Sequence, residues 1–579
     1  MDPMTSVPPA FVVLAVAIAL PFLPRRLGHA LGVLATGGAS IWAYLAPAGV
    51  HLPIRFLGFD AVLLQVDTLS RLMGIIFGLI AAAAVLYSYS SEASNRQTAF
   101  ALGYVGTSLG AVFAGDWLTM VFFWELMAVT STLLVWDYGG EAIRAGYRYA
   151  FYHGLGGSLL MAAVVCHYTA VDSFLFSASS GLVAGIPTAL AAVGIGVNVG
   201  FVGLHAWLPD TYPRPQIAAS VFLSVYTTKT GVYGLARAFP DGHIAIAYMG
   251  AAMAMIGVIY ALFQHDMRRL LAYHIQSQVG YMVAGVGIGT AMATAGAFAH
   301  VFNHILYKAL LFMTAGVVIA RTGTERLDDL GGLAKHLPFT ALAFTIAALS
   351  ISGFPGFNGF VSKGLLTVAA HEEHLTAIYY LLMAAGVGTF MSFIKFGYYA
   401  FFRDLDREWD VDWSNWGQRV AMLGVSVLLV LFGLFPQTLF AVLPGSTAHA
   451  HTFAPSHILE GLILAALGLL GFAVVKKPLS RIAHVPDVDA IINPVMFYGT
   501  RALVRGLTEL YAAVDRVVAG GSYAIARRLS YPYPVLNWVR VRATSVEREF
   551  RPGSLRATIA ASIALMVVVL SGVLLGLLL

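Results

Sequence analysis

Long apolar runs recur from one end of this chain to the other, and they limit it to the folds that a lipid bilayer allows. A helical crossing needs about 20 mostly apolar residues, and by that measure the 579 residues divide into roughly 16 spans. Inside a bilayer every backbone N–H and C=O has to find its partner within the protein, so runs of this length are read as helices. With 59% of residues hydrophobic and 11% charged, against about 25% charged in soluble domains, no soluble catalytic half is expected. The N-terminal apolar run has no basic stretch before it and no A-x-A site after it, so it is read as the first span and not as a signal peptide. The single cysteine, Cys166, excludes an internal disulfide and a cysteine metal cluster. The net charge of +5 contains no dense basic run, which argues against a nucleic-acid surface.

Basic residues set the expected topology, because short cytoplasmic loops are enriched in Lys and Arg. They follow alternate spans: Arg25 and Arg26; Arg144 and Arg148 after the fifth span; Arg268 and Arg269; Arg321, Arg326 and Lys335; Lys476, Lys477 and Arg481. The intervening loops 171–188, 239–243, 370–375 and 444–456 carry none. This alternation predicts both termini on the outer face. Two regions depart from plain spans. Residues 189–215 run from an apolar helix into HAWLPDTYPRP, and residues 350–366 (SISGFPGFNGFVSKGLL) place Pro and Gly at mid-membrane depth just before a lysine. Paired broken helices point to an ion site in a transporter built from inverted repeats. Residues 480–552 form the longest polar stretch. Its part from Asn493 to Leu529 mixes apolar residues with Arg501, Arg505, Glu509, Asp515, Arg527 and Arg528, and is read as an amphipathic helix on the cytoplasmic surface.

The expected fold is therefore an all-α polytopic membrane protein. It has N-terminal transmembrane helices (1–97), a first five-helix repeat (98–240), a second, inverted repeat (241–405), further transmembrane helices (406–479), the amphipathic segment (480–552) and a final span (553–579).

Charge inside a bilayer costs about 2.5–3.5 kcal/mol per residue on insertion scales, so several such residues in successive spans need a function. Glu125 lies in DWLTMVFFWELMAVTSTLLVW, Lys229 in ASVFLSVYTTKTGVYGLAR, and His300, His304 and Lys308 in AFAHVFNHILYKALLF. Lys363 follows the FPGFNG break, Lys395 lies in GTFMSFIKFGYYAFF, and His153 opens the sixth span. Steps of four put His300, His304 and Lys308 on one helix face, about 6 Å apart along the axis, a gap that suits a bridging water. A zinc reading of the two histidines finds no acidic residue nearby to act as base or third ligand. Burial disfavours the charged form of such groups and brings them into the range where protons exchange. Together they read as a proton relay. His265 and His274, beside Arg268 and Arg269, are read as interfacial. There is no phosphate-binding glycine loop, nucleophile elbow or cofactor motif. No covalent chemistry, cofactor or metal is expected, and the driving energy has to come from an ion gradient or partner subunits.

In these residues the chain resembles the antiporter-like family shared by complex I membrane subunits and Mrp-type multisubunit cation/proton antiporters, over nearly its whole length. WELM is similar to the family's fifth-helix glutamate motif, HAWLPDTY to the loop after the broken seventh helix, and TTKTGVYGLAR to the eighth-helix lysine motif. HDMRRLLAYHIQSQVGYM resembles the family's cytoplasmic helix start, HVFNHILYKALLF its histidine–histidine–lysine helix, and GFPGFNGFVSKGLL its broken twelfth helix. The resemblance implies that Glu125 is the acidic partner of an ion pair and that Lys363 is the central exit lysine. It implies partner membrane subunits in a hetero-oligomeric complex, protons and Na+ as transported ions, and a bacterial or archaeal cytoplasmic membrane. SFIKFGYYAFF, FGLFPQTLFAVLPG and APSHILEGLILAALGLL look most like the D-type component of Mrp antiporters. Residues 480–579 look more like the long complex I component. One position departs from the family: where it has a lysine, thirty-one residues before Lys229, this chain has Asn198, and Gly203 replaces a nearby proline. Three functions remain open at this point. They are an antiporter subunit, a proton-conducting subunit of a redox or inorganic-carbon uptake complex, and a non-transporting scaffold.

Overall fold

The computed structural model describes residues 7–405, 409, 411, 414–447, 450–482 and 485–530. The chain opens with α1 (Pro9–Ala19), α2 (Arg25–Leu45), α3 (Thr68–Ser90) and α4 (Asn95–Phe113). It continues through α5 (Trp117–Trp136), α6 (Glu141–Val171), α7 (Ile186–Val199), the short α8 (Trp207–Thr211), α9 (Ile217–Leu223) and α10 (Tyr226–Ala238). Next come α11 (Ile244–Phe263), α12 (Met267–Ile288), α13 (Ala291–Thr322), α14 (Leu333–His336), α15 (Pro338–Ser352), α16 (Asn358–Glu372) and α17 (Thr376–Gly397). The last helices are α18 (Trp416–Leu434), α19 (Gln437–Phe440), α20 (Pro455–Arg481) and α21 (Asp489–Ser530). Residues up to Asn493 make one compact unit, and the remainder, which holds most of α21, makes a second. The expected final span, 553–579, and residues 531–552 of the surface segment lie outside the described residues.

Among the described residues, eight helices are long and apolar enough to cross a membrane alone: α3, α5, α6, α11, α13, α17 with its short π-helical extension to Phe402, α18 and α20. The apolar segments Pro9–Phe22, Ile186–Val199 and Pro338–Ser352 are shorter. The expectation of an all-helical chain needs one amendment. Between α2 and α3 the chain folds as two short antiparallel pairs, Gly49–Val50 with Gln65–Val66 and Pro53–Phe56 with Phe59–Val62. Buried Asp116, the N-cap of α5, accepts from Val62 N (2.6 Å) and from Thr119 N (2.7 Å), which ties this hairpin to the bundle.

The helix starts follow capping chemistry. Asp67, Ser94, Asp116, Asp266 and Thr290 each accept a backbone N–H of the turn they open, as N-cap side chains do. Gly200 (φ 76°) and Gly353 (φ 85°) end α7 and α15 in the left-handed conformation. These are the two breaks expected in residues 189–215 and 350–366. Loops that carry Lys and Arg are bonded to one another: Met267 N donates to Glu325 O, and Leu327 N to His265 O. Loops without them meet likewise: His243 N donates to Gly287 O, and Ser446 N to Ala291 O. The alternation read in the sequence thus separates two faces.

α11 and α12 touch backbone to backbone because small residues face each other. A Cβ on Gly280 would come within 2.6 Å of Gly250 O, and one on Gly257 within 2.6 Å of Ser277 N. Gly280→Leu is therefore expected to cost about 1–3 kcal/mol through overpacking. The check is the thermal midpoint of the detergent-extracted protein, which should fall.

Candidate functional site

The N-terminal half gathers a polar cluster around α5, α6 and α7. Glu125, half-buried on α5, makes no hydrogen bond or ion pair among the described residues. Its carboxylate lies against Gly157 of α6, where a Cβ would occupy the position of Oε1. One turn earlier on the same helix stands buried His153, whose Nδ1 meets Asn198 Oδ1 at 2.9 Å. The imidazole packs on Tyr149 and Trp207 at 4.1 and 4.5 Å. His153 Nε2 and Asn198 Nδ2 have no hydrogen-bond partner. The Tyr149 hydroxyl meets Ser131 and Thr227, each at 2.9 Å, and Thr227 meets the Tyr104 hydroxyl at 2.5 Å.

His153 does not open a span, as its place in the sequence suggests; it lies well inside α6. The left-handed pair Gly139 and Gly140 starts that helix early, with Glu141 in its first turn. Arg144 and Arg148 consequently belong to α6 and not to the loop before it. Lys229 is fully buried on α10, and no hydrogen bond or ion pair joins it to Glu125 among the described residues. Its Nζ donates to Ser224 O (2.6 Å) and Thr228 Oγ1 (3.0 Å), at the gap between α9 and α10.

The C-terminal half holds the second cluster. His300 and His304 share one face of α13, with ring centroids 6.4 Å apart. His300 is held by Ser362 of α16 (Nδ1 to Oγ, 2.9 Å) and by Tyr307 (3.3 Å). Both nitrogens of His304 and the Nζ of Lys308 are buried without a hydrogen-bond partner, and Lys308 lies 5.9 Å over the Phe312 ring. Lys363 Nζ donates to Ile351 O (2.8 Å), the carbonyl end of α15, and stands 4.9 Å over Tyr281. Asn303 and Asn358 fix the start of α16 to α13 through Asn303 Nδ2 to Asn358 O (2.8 Å) and Asn358 Nδ2 to Asn303 Oδ1 (3.1 Å). Lys395, in the last turn of α17, donates to Leu262 O and Gln264 O (2.8 and 2.7 Å), capping the end of α11.

Sequence reasoning misplaces His274. It is not interfacial: it is fully buried on α12, with both ring nitrogens unpartnered, against Phe393. α12 begins at Met267 and runs straight into the bundle, so its second turn is already deep. His265, just before the helix, does lie at the edge, bonded to Asp328 and Ile482. Sequence reasoning also misses a polar cleft of about 680 Å³ on the basic face, lined by Glu141, Arg214, Asp266, Arg268, Arg269 and Glu325. Arg268 pairs with Glu325, and Arg214 with Glu141 at 2.5 Å. Burial pushes the Glu325 carboxyl up and Arg268 opposes it. Asp266 beside it pushes it up again, leaving it above the usual range. A carboxyl of that kind at a cleft mouth can take and release protons.

Buried polar atoms in native proteins are bonded to protein or to ordered water. A site needs several polar neighbours and room to hold a water, and the unpartnered ring nitrogens of His274 and His304 and the Nζ of Lys308 are groups that a water would satisfy. Linked by water, such groups can hand protons along.

The sequence family described as NADH:quinone oxidoreductase/Mrp antiporter, TM, matches residues 114–392. The D-type component of the Na(+)/H(+) antiporter of Alkalihalophilus pseudofirmus is 30% identical over 362 residues, which cover 59% of this chain and 73% of that protein. Hydrogenase-4 component B of Escherichia coli is 32% identical over 355 residues, 55% of this chain and 52% of that one, so the chain spans only about half of that relative. Among solved structures, the Mrp complex from Dietzia sp. DQ12-45-1b superposes with a TM-score of 0.76 at 23% identity, covering 96% of this chain and 66% of the other.

Asn198→Leu removes the acceptor of His153 and is expected to cost about 1–3 kcal/mol, the penalty of an unmet buried donor. Asn198→Lys adds an unpaired buried charge unless Glu125 meets it, and should cost about 3–5 kcal/mol. Thermal unfolding of the extracted variants checks the order: wild type, then Leu, then Lys.

Proposed function

The chain belongs to the NADH:quinone oxidoreductase/Mrp antiporter family of multi-pass membrane subunits, and on that premise we propose that it is the proton-translocating subunit of a multisubunit Na+/proton antiporter. The observation that carries the reading is the set of buried, unpartnered basic groups, His304, Lys308 and His274, in a bundle that also buries Lys229 and Lys363. Burying so many cationic or protonatable groups is costly and serves no packing end. In this reading the proton passes from Lys229 through water to His304, Lys308 and His274 and then to Lys363, while His300 orients that end through Ser362. Glu125 and His153 serve the N-terminal half, and Lys395 anchors α11.

The proposed architecture is two inverted repeats, 98–240 and 241–405. Support comes from matched element orders: α4, α5, α6, the broken pair α7–α8 and the broken pair α9–α10, against α11, α12, α13, the broken pair α15–α16 and α17. Counting each broken pair as one crossing, and adding the segment 553–579, gives roughly 16 spans of bilayer length. The proposed setting is a bacterial or archaeal cytoplasmic membrane with partner membrane subunits and both chain termini on the outer face. A second reading, the membrane subunit of a redox complex, draws on the 42-residue α21 and on the likeness to a hydrogenase component.

In proteoliposomes carrying the chain with its copurifying subunits, a Na+ pulse should collapse a preset pH gradient. Lys363→Ala at wild-type abundance should slow that collapse about 100-fold, the scale of a lost proton-transfer group. Proton flux that ignores Na+ favours the redox reading, and undiminished flux in Lys363→Ala removes Lys363 from the path.

A further inference from the structure

The connection from α20 to α21 is strapped onto the bundle. Ile482 O accepts from His265 Nε2 (3.1 Å) and Pro486 O from the Tyr260 hydroxyl (3.1 Å). Asp489 takes both guanidinium nitrogens of Arg148, which also reaches Asp210 at 3.5 Å. Asp487 is the centre of the strap: one carboxylate oxygen accepts from the Tyr273 hydroxyl and the other faces His205 Nε2 at 3.3 Å. Residues 482–489 lie outside the stretch that the family matches.

His205 stands in the turn that follows the α7 break and is only 1% exposed. Two residues on, Trp207 donates to Val197 O (2.9 Å) and packs against His153, so the His205 turn is seated on the Asn198 cluster. Its Nδ1 is buried and has no partner. A carboxylate can only accept, so the neutral ring facing Asp487 carries its proton on Nε2 and leaves Nδ1 bare. A carboxylate that accepts from one ring nitrogen fixes both the tautomer and the orientation of the ring, and stabilises the imidazolium formed when the other nitrogen takes a proton.

We propose that Asp487 is a positioning residue for proton exchange in the N-terminal half, holding His205 with its bare Nδ1 turned inward so that this nitrogen binds and releases a proton at the cytoplasmic end of the α7 break. The inference rests on the proton-translocating reading above. The step is a simple protonation: Nδ1 takes a proton to give an imidazolium balanced by the Asp487 carboxylate, then gives it back. No other bond changes. The charged and titratable groups around the pair are Arg148 of α6, Asp210 of α8, Tyr260 of α11, Tyr273 and Arg269 of α12, and Asp489 of the strap itself. Burial raises the proton affinity of Asp487. The bonds from His205 and Tyr273 more than offset this, leaving it below the usual carboxylate range and therefore charged at neutral pH.

The test uses Asp487→Asn, Asp487→Glu and Asp487→Ala in the full chain with its copurifying subunits. Asparagine keeps an acceptor for the strap but removes the charge. The alkaline limb of proton flux should move down by about 1–2 pH units, the size of a lost close counter-charge, and Asp487→Glu should restore most of it. In parallel, the ¹⁵N signals of histidine-labelled protein, assigned with His205→Gln, should show the Nε2–H tautomer at His205 and a midpoint lowered in Asp487→Asn. An unchanged flux profile and an unchanged His205 midpoint overturn the proposal and leave Asp487 a purely structural strap. If wild-type vesicles carry no proton flux, the translocation reading fails, and the His205 tautomer and midpoint still decide whether Asp487 positions the ring.

Discussion

The structure depends on how buried lysines are satisfied where helices stop inside the bundle. The last carbonyls of a helix have no intrahelical donor and carry the negative end of its dipole. Lys363 is bonded to Ile351 O at the end of α15, Lys229 to Ser224 O just after α9, and Lys395 to Leu262 O and Gln264 O at the end of α11. Each break supplies an acceptor for a cation, and each cation satisfies a break that would otherwise be costly in a lipid setting. Lys308 departs from this arrangement. It sits mid-helix on α13, has no carbonyl end to cap, and shares its surroundings with His304 and His274, whose ring nitrogens are also unmet. Three lysines are thus held by backbone, and a fourth, Lys308, is buried with no hydrogen-bond partner.

Much of this is legible in the sequence, because it follows from periodicity and from helix-breaking residues. Apolar runs with charges at single interior positions give the helices, Gly-Phe-Pro-Gly gives the second break, and steps of four give the His300–His304–Lys308 face. What is not legible depends on where helices begin. The start of α6 at Glu141 places His153 deep, and the start of α12 at Met267 takes His274 into the core. In the sequence, His153 reads as the opening of a span and His274, beside Arg268 and Arg269, as interfacial. The hairpins between α2 and α3 are short and mostly exposed, so no alternating pattern announces them. The Asn303–Asn358 pair and the strap at 482–489 are long-range contacts, for which a single sequence carries no signal.

The two halves of the bundle bury their polar groups differently. In the N-terminal half, an amide at 198 binds an imidazole at 153, and Glu125 stands one helical turn away against Gly157. The His153 ring packs on Tyr149, whose hydroxyl belongs to a separate hydrogen-bonded run through Thr227 to Tyr104. In the C-terminal half, His300, His304, Lys308 and Lys363 are buried, and no carboxylate pairs with them among the described residues. Proton transfer in such a setting turns on water, since neither side-chain geometry nor helix packing joins His304 to Lys308 directly.

The presence of that water is the most direct test of the account. A map of the detergent- or nanodisc-embedded complex at a resolution that shows solvent should reveal ordered waters within hydrogen-bond distance of Lys308 Nζ, His304 and His274, linked into a continuous file that ends near Lys363. Dry, closely packed apolar contact around Lys308 and His304, with no solvent density between them, would contradict it.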